Sequence, residues 1–263
     1  TGVTANFLDN ACRAAGATAT YRAKVVVAAD GVSSRLATAV GRPKREDRVM
    51  GVAVRAYYTT PRRDDYLESH LELWTTDDNG QRMLMPGYGW LFPLEDGRTN
   101  VGLGILDTSS AFGKTDYKDV LRRWADSLGD RWELAHDPAG GPIRGAALPM
   151  GFNRTPLYAD GLLLVGDAAG MVNPFNGEGI DYALEAARVG ADVIGQALAR
   201  PSDAGRERVL AAYPRIMKAE LGGYFTLGRW FAHAIGNPEV MRLATTYGLP
   251  RTALMRFLLK VMA

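Results

Sequence analysis

Residues 161–198 read GLLLVGDAAGMVNPFNGEGIDYALEAARVGADVIGQAL, and this stretch decides the fold. Its first part, residues 162–165, is a continuous apolar run of the kind that forms a buried strand. Gly166 and Asp167 follow directly and end that strand. The stretch therefore begins as a strand that delivers a glycine and a carboxylate at its carboxyl end.

The second part of the stretch is a loop followed by a helix. Pro174, Gly177 and Gly179 interrupt regular structure after the strand. From Ile180 onward, apolar residues recur at spacings of three and four to the end of the stretch. This period predicts one apolar stripe on a helix that is roughly 28 Å long, at about 1.5 Å per residue.

The junction between this loop and the helix is suited to a ligand that carries hydroxyl groups or negative charge. The first N–H groups of a helix have no partner and carry the positive end of its dipole. Gly177 and Gly179 leave the backbone open there, and the Asp167 carboxylate accepts hydrogen bonds. A reduced flavin has both features, since its ring gains negative charge and its ribityl chain offers hydroxyls. The alternative is that Gly166 and Gly179 serve tight turns and that Asp167 caps the helix.

A similar unit lies near the start of the chain, where residues 25–41 read VVVAADGVSSRLATAVG. An apolar strand over residues 24–29 ends at Asp30, and Ser33 or Ser34 is predicted to cap the next helix. Ordinary Asp-Gly turn chemistry is the alternative to a ligand-binding role for Asp30.

Residues 50–106 alternate apolar with polar side chains, which predicts a mostly antiparallel sheet. Within it, residues 86–93 read PGYGWLFP, and period-two spacing places Tyr88, Trp90 and Phe92 on one side of a single strand. Three aromatic rings in a row form a flat apolar wall, to which Tyr88 and Trp90 each add a polar group. The alternative is an aromatic stripe that faces the core.

These segments resemble the motifs of one superfamily, the FAD-dependent hydroxylases and geranylgeranyl reductases. VGDAAG at 165–170 and PFNGEGIDYAL at 174–184 resemble its second flavin-contacting motif, and residues 25–41 resemble its Asp-Gly motif. The Tyr-x-Trp-x-Phe-Pro segment from Tyr88 resembles the aromatic signature of the geranylgeranyl reductase family. The resemblance covers most of residues 21–198 and favours a prenyl reductase, with the subgroup that acts on menaquinone as the nearest.

The resemblance implies a fold of the α/β class with an α+β mixture. Residues 1–49 and 150–200 are expected to form the carboxyl-side part of a Rossmann-type FAD-binding domain, with an antiparallel-sheet substrate domain inserted as residues 50–149. Residues 201–263 are expected to form a C-terminal helical segment with nine Lys or Arg and four Asp or Glu. This segment suits either an anionic membrane surface or lipid tail, or a helical cap whose basic side chains face water. The resemblance favours the interpretation that this segment contacts a lipid.

The resemblance also implies a reaction and a set of site residues. The reaction is reduction of an isoprenoid C=C bond by reduced FAD, with Tyr88 and Trp90 as catalytic residues and Phe92 as a substrate-binding residue. Tyr88 is expected to donate or position the proton. The cofactor-binding residues are expected to be Asp30, Gly166, Asp167, Pro174, Gly177, Gly179 and Ile180. The electron donor is left open between NAD(P)H and a reduced protein.

Two alternatives remain open. The family begins with a strand, a GxGxxG turn and a helix that bind the ADP half of FAD, and this sequence has no such motif. Its Gly102-Leu103-Gly104 lacks the third glycine. The chain starts at Thr1 and is expected to be a piece of a longer protein, so one alternative is a non-catalytic fragment without cofactor. The other is an FAD-dependent monooxygenase of an aromatic or lipid substrate.

Composition bounds the remaining classes of function. The chain has 263 residues, 47% of them hydrophobic, and a net charge of only +2, which argues against a nucleic-acid partner. No apolar run reaches the roughly 18 residues that cross a membrane, and the single Cys12 fits a reducing cytosol. The expected location is cytoplasmic, with peripheral contact to the inner face of the cell membrane. His70, His136 and His233 lie far apart in sequence, so no metal site is predicted.

Further elements are predicted from local pattern. Residues 7–15 are predicted to be the end of a helix that stops at Gly16, and residues 67–74 to form one alternating strand. Residues 115–128 are predicted to form a helix, and the glycine pair at 222–223 to separate two of the C-terminal helices.

Overall fold

The computed structural model describes residues 2–8, 14–63, 65–76, 79–85, 87–109, 112–137, 140–235, 237–248 and 250–262. Contacts within the polypeptide divide it into two compact units. The first unit contains Thr1–Arg48, Pro149–Asn173 and Glu178–Thr226. The second unit contains Val49–Leu148, Pro174–Gly177 and Leu227–Ala263.

The fold mixes strands and helices. In chain order the strands are β1 (Gly2–Leu8), β2 (Ala14–Arg22), β3 (Val26–Ala28), β4 (Met50–Thr59), β5 (Glu68–His70), β6 (Leu73–Thr76), β7 (Arg82–Met85), β8 (Tyr88–Pro93), β9 (Arg98–Leu106), β10 (Ala135–His136), β11 (Arg144–Pro149), β12 (Tyr158–Ala159) and β13 (Leu162–Leu164). The helices are α1 (Arg35–Ala39), α2 (Tyr117–Ser127), α3 (Gly129–Trp132), α4 (Ile180–Leu198), α5 (Asp203–Leu210), α6 (Tyr213–Ile235), α7 (Pro238–Leu243) and α8 (Thr252–Met262). A 3₁₀ turn at Gly166–Ala168 and a π-helical turn at Ala244–Gly248 are also present.

The first unit is built on the two strands that were predicted to end in aspartates. β13 lies between β12 and β3 and pairs in parallel with β3, so that Leu164 lies opposite Ala28. All three residues of β13 are buried, as its apolar run predicts. Because parallel strands end at the same edge of a sheet, the segments that carry Asp30 and Asp167 begin side by side.

α4 begins and ends where the apolar period predicts. It contributes one buried face to the core of the first unit, formed by Ala186, Val189, Gly190, Val193 and Ala197. The buried Tyr213 of α6 donates its hydroxyl to the carbonyl oxygen of Leu164 at 3.0 Å. α4 and α6 are thereby fixed to the strand that leads into the Gly-Asp turn.

The predicted helix over residues 7–15 is wrong. Residues 7–8 lie in β1 and residues 14–15 in β2, which pair as an antiparallel hairpin, while residues 9–13 lie outside the described part. The Thr4 and Thr20 hydroxyl oxygens lie 2.9 Å apart across this hairpin. Cross-strand pairing outweighs the helix propensity of the alanines here, and a local period cannot show it.

The second unit contains the predicted antiparallel sheet. Its strand order is β10-β4-β9-β8-β5, with β11 paired to β4. On one face, Val54, Ala56 and Tyr58 of β4 are buried in a core with Leu91 of β8 and Trp124 of α2. The opposite face of β4 and β8 is half-buried, so the alternation predicted for residues 50–106 is confirmed in both strands.

Two predicted boundaries differ from the structure. The single strand predicted over residues 67–74 is wrong, because β5 ends at His70 and β6 begins at Leu73, and the two strands pair in separate sheets. The glycine pair at 222–223 lies inside α6. Burial of the neighbouring Phe225 offsets the helix-propensity cost of about 1 kcal/mol for each glycine.

The C-terminal part is helical, as predicted. The helical run breaks at Asn237, before α7, and the π-helical turn ends at Gly248. Across the described residues, every helix is too short or too polar to span a bilayer.

Candidate flavin site and aromatic row

Asp30 follows β3 and holds the start of α1 in place. The Ser34 hydroxyl donates to Asp30 Oδ1 at 2.7 Å, and the Leu36 N–H donates to Oδ2 at 3.1 Å. Burial pulls the pKa of Asp30 upward, but the hydrogen bonds outweigh burial and hold the pKa below its usual value. Ser34 is the N-cap of α1, as predicted, and accepts from the Ala37 N–H at 3.2 Å. The turn role that was the alternative for Asp30 is therefore present.

Asp167 follows β13 and differs from Asp30 in having no such partners. No described residue donates a hydrogen bond to its half-buried carboxylate. Burial raises the pKa of Asp167 above the ordinary aspartate value. Gly166 beside it has a φ of +55°, and a Cβ there would lie 3.0 Å from the Cβ of Ala183, so the turn needs glycine. A carboxylate that is desolvated and unpaired is available to a ligand.

The N-terminus of α4 lies beside the Asp167 carboxylate. A Cβ placed on Gly179 would lie 3.4 Å from Asp167 Oδ1. Gly179 is the N-cap of α4 and supplies no side-chain hydrogen bond to the helix. Ile180 and Leu184 in the first turns are 83% and 68% exposed. The first unit thus combines an uncapped helix N-terminus, an unpaired carboxylate and two uncovered apolar side chains.

Within the second unit, the loop Pro174–Gly177 contacts Tyr88. The Tyr88 hydroxyl donates to the carbonyl oxygen of Asn176 at 3.4 Å. A Cβ on Gly177, whose φ is +75°, would lie 2.6 Å from the same hydroxyl oxygen. Burial raises the pKa of Tyr88 to about 12, so its hydroxyl keeps the proton at neutral pH.

Tyr88, Trp90 and Phe92 form the predicted row on one face of β8. Ring centroids of neighbouring members are 6.1 Å apart in both pairs. On the adjacent strand, Gly104 lies opposite Tyr88 and Gly102 lies opposite Trp90. A Cβ on either glycine would overlap the ring that faces it, so these glycines let the rings lie flat across β9.

The sequence alone does not reveal the role of Gly102 and Gly104 beneath the aromatic rings. Their spacing indicates only an incomplete dinucleotide-binding motif. The signal was present, because glycines at period two in one strand accompany aromatic residues at period two in the strand before it. The pairing that joins the two patterns is fixed only by the register of β8 and β9.

Arg154 was also missed. Its side chain is only 1% exposed, and its Nη2 donates to the carbonyl oxygens of Val32 and Ser33 at 3.1 and 3.2 Å. Its backbone N–H donates to the carbonyl oxygen of Ala169 at 3.2 Å. Arg154 therefore ties the loop after β3 to the loop after β13. The sequence carries no signal for this role, since a single arginine in a loop usually faces water.

The predicted site residues fall into two groups, one in each unit. The first unit contains Asp30, Gly166, Asp167, Gly179 and Ile180. The second unit contains Tyr88, Trp90, Phe92, Pro174 and Gly177. Their roles toward cofactor and substrate stay predictions.

The first group fits a flavin. The unpaired Asp167 carboxylate can accept hydrogen bonds from ribityl hydroxyls, and the open N-terminus of α4 stabilises negative charge on a reduced ring. Gly179 leaves room for close approach of a ligand to the backbone, and the exposed Ile180 offers an apolar contact.

Sequence comparison shows the family to which the chain belongs. The FAD binding domain family matches residues 1–216. Menaquinone reductase of Mycolicibacterium smegmatis is 32% identical over 238 residues, which cover 90% of this chain and 55% of that protein. Menaquinone reductase of Mycobacterium tuberculosis is 34% identical over 240 residues, with the same coverage. The chain thus spans about half the length of the curated relatives it matches.

Solved structures show the same fold. A geranylgeranyl bacteriochlorophyll reductase-like protein from Thermoplasma acidophilum has a TM-score of 0.66 at 20% identity, and the match covers 88% of this chain and 56% of that protein. The chondrochloren halogenase, an FAD-dependent halogenase of myxobacterial origin, has a TM-score of 0.61 at 22% identity, with 86% and 53% covered. The predicted α/β fold, the flavoprotein superfamily and FAD as cofactor are confirmed. The chain belongs to the FAD-binding domain family.

Proposed function

We propose that the protein reduces an isoprenoid C=C bond of a prenyl lipid with FAD, and that the side chain of menaquinone is its substrate. The observation that carries this proposal is the row of Tyr88, Trp90 and Phe92 on one face of β8, in which the Tyr88 and Trp90 rings lie across glycines of β9. The menaquinone reductases that are 32% and 34% identical over 90% of the chain support it. Because the chain spans about half of their length, the activity is proposed for the whole protein.

The aromatic row supplies what an isolated alkene requires. A polyprenyl tail offers only apolar surface, so it binds by burial against flat rings. An alkene is also a poor hydride acceptor, and precise alignment of two reactants can contribute about 7–11 kcal/mol to lowering a barrier. The Tyr88 and Trp90 rings lie across the glycines of β9 and so form a rigid surface for that alignment.

The residues of the first unit are proposed to hold the cofactor. In its reduced form, bound FAD would supply the hydride to the alkene. Asp167 accepts hydrogen bonds from cofactor hydroxyls, Gly166 shapes the turn that presents it, and Gly179 and Ile180 offer backbone N–H groups and apolar contact. Asp30 lies at the end of the neighbouring strand, where its carboxylate holds the start of α1 in place.

Tyr88 is proposed to deliver or position the proton that completes the reduction. Its pKa of about 12 keeps the hydroxyl protonated throughout the neutral range, and the Asn176 carbonyl oxygen orients it. Pro174 and Gly177 shape the loop that supplies this carbonyl. Tyr88 therefore serves as a neutral hydrogen-bond donor.

The C-terminal helices are proposed to contact an anionic membrane, where a prenyl quinone resides. Residues 227–263 contain five Lys or Arg and one Glu. The exposed apolar side chains there include Trp230 of α6 at 76%, Tyr247 of the π-helical turn at 61% and Phe257 of α8 at 62%. Aromatic side chains inserted at the interface, together with basic residues worth about 1 kcal/mol each, give reversible anchoring.

Replacement of Trp230 and Phe257 by serine is expected to weaken binding to anionic vesicles at least about tenfold, since a buried large apolar side chain contributes about 1.5–3 kcal/mol. Co-sedimentation with phosphatidylglycerol vesicles measures this. The matched control is replacement of Tyr66 and Leu67 by serine, because these side chains are 76% and 69% exposed in the same unit but lie outside the basic helices. Equal losses in both variants, or no loss, would contradict the anchoring role.

The mass of the product tests the proposed activity. The protein expressed from its full reading frame is incubated with FAD, a chemical reductant and menaquinone, and the lipid is analysed by mass spectrometry. The recovered lipid is reoxidised in air, which returns the ring to the quinone, so a reductase leaves two additional hydrogen atoms in the side chain. Addition of one oxygen atom would establish the monooxygenase alternative instead, and an unchanged lipid would contradict the proposed activity.

A further inference from the structure

The half-buried face of the second unit's sheet carries more than the aromatic row. Along β4, this face presents Ala53, Arg55 and Tyr57, of which Arg55 lies opposite Gly102 and Tyr57 lies opposite Asn100. Because Gly102 in turn lies opposite Trp90, Arg55 and Trp90 belong to the same row across three strands. At about 4.8 Å between strands, their backbones are roughly 10 Å apart.

Arg55 is a cation without a carboxylate. Its guanidinium carbon lies 4.8 Å from the centroid of the Tyr57 ring, and no described residue forms an ion pair with it. Arg98 provides the contrast, because its guanidinium lies 5.1 Å from the same ring but also donates from Nε to Asp96 Oδ2 at 2.8 Å. Two arginines thus flank one tyrosine, and only one of them is neutralised by an acid.

Asn100 adds a second donor between these strands. The Trp90 indole N–H donates to Asn100 Oδ1 at 3.2 Å, so the amide oxygen is already in use. The amide nitrogen keeps its two N–H groups for another acceptor. The Arg55 guanidinium and the Asn100 amide nitrogen together offer N–H donors beside an apolar aromatic surface.

This combination suits one kind of molecule, an apolar tail that ends in oxygen acceptors. We propose that Arg55 and Asn100 bind the polar head of the prenyl lipid, through quinone carbonyl or phosphate oxygens, while the aromatic row holds the tail. The inference rests on the proposed function for the identity of the tail. It adds a headgroup subsite, which explains why a guanidinium without a carboxylate partner lies on the same face as the aromatic row.

The test replaces Arg55 with glutamine and compares it with the matched variant Arg98→Gln. Three probes are used, namely a prenyl quinone, a prenyl phosphate and an isoprenoid hydrocarbon without a head. Binding is followed by quenching of tryptophan fluorescence, and turnover by product mass. Arg55→Gln is expected to raise the Kd and KM for at least one headed probe by about 10-fold or more, and to leave the hydrocarbon unchanged.

Arg98→Gln is expected to leave unchanged the ratio between the affinity for probes with a polar head and the affinity for the hydrocarbon. Arg55→Lys is expected to recover part of the affinity that Arg55→Gln loses. Whichever headed probe loses more affinity identifies the quinone or the phosphate as the group recognised. The inference is overturned if Arg55→Gln affects all three probes equally or none of them, or if Arg98→Gln has the same selective effect. Fluorescence binding needs no turnover, so a selective loss of binding without any reduction would keep the headgroup subsite and reject the proposed activity.

Discussion

Replacement of Asp167 with asparagine is expected to weaken FAD binding by about 10-fold to 100-fold, because a hydrogen bond to a charged group contributes about 1.5–3 kcal/mol. Replacement with alanine, which removes the acceptor altogether, is expected to abolish flavin binding. The measurement is the Kd of FAD, from titration of the protein expressed from its full reading frame. Asp192→Asn on α4 is the control, because it removes one exposed negative charge away from the turn.

The same Asp167→Asn change is expected to stabilise the protein without flavin. Burial raises the pKa of Asp167 above its value in the unfolded state, so folding makes this carboxyl easier to protonate. The contribution of this carboxyl to stability is therefore greatest at low pH and is lost as the pH rises from the unfolded aspartate pKa, about 4, through the higher folded value. The gain in melting temperature from Asp167→Asn should be larger at about pH 7 than at about pH 4.

These two effects have opposite signs, which distinguishes a ligand-binding carboxylate from a structural one. A structural aspartate would lose stability on replacement, as expected for Asp30, whose carboxylate bonds to Ser34 and Leu36. If an Asp167 variant retained its flavin and lost stability, Asp167 would not belong to the flavin site.

Replacement of Gly177 with alanine is expected to lower turnover with a prenyl lipid by about 100-fold, the effect typical of a displacement near 1 Å in an active site. The new Cβ would lie 2.6 Å from the Tyr88 hydroxyl oxygen, so the tyrosine must move. The φ of +75° adds a backbone strain of about 1–2 kcal/mol. Turnover and near-ultraviolet circular dichroism report the two consequences.

Gly80 provides the matched control for this substitution. Its φ is +77°, and a Cβ there would meet no atom within 4 Å. Gly80→Ala therefore imposes the same strain without displacing Tyr88, and its turnover should stay close to that of the unmodified protein. Equal turnover in the two variants would mean that contact with Tyr88 has no part in the reaction.

The elements with a strong local period were predictable from the sequence. α4 and β13 follow the apolar pattern of residues 161–198, and β8 follows the alternation around Tyr88. The Ser34 cap was predictable as well, because capping depends on residues that are close in sequence.

The features that depend on distant pairing were not predictable. Residues 7–15 were assigned to a helix because their strand pairing is not visible in a local window. Cross-strand register places Gly102 and Gly104 opposite the aromatic side chains of β8. The same register aligns Arg55 with Trp90 across three strands. The predicted division into domains and the roles of the site residues stay predictions.

The central claim is tested most directly by reoxidation of the reduced flavoprotein without oxygen. FAD bound to the protein from its full reading frame is reduced chemically. Menaquinone in its quinol form, whose ring accepts no further electrons, is then added under argon while the flavin absorbance is recorded. We expect the oxidised-flavin spectrum to return as one isoprenoid C=C bond of the menaquinone tail gains two hydrogen atoms for each flavin. Recovery of the spectrum only after oxygen is admitted, with an unsaturated or oxygenated tail, would contradict a prenyl reductase.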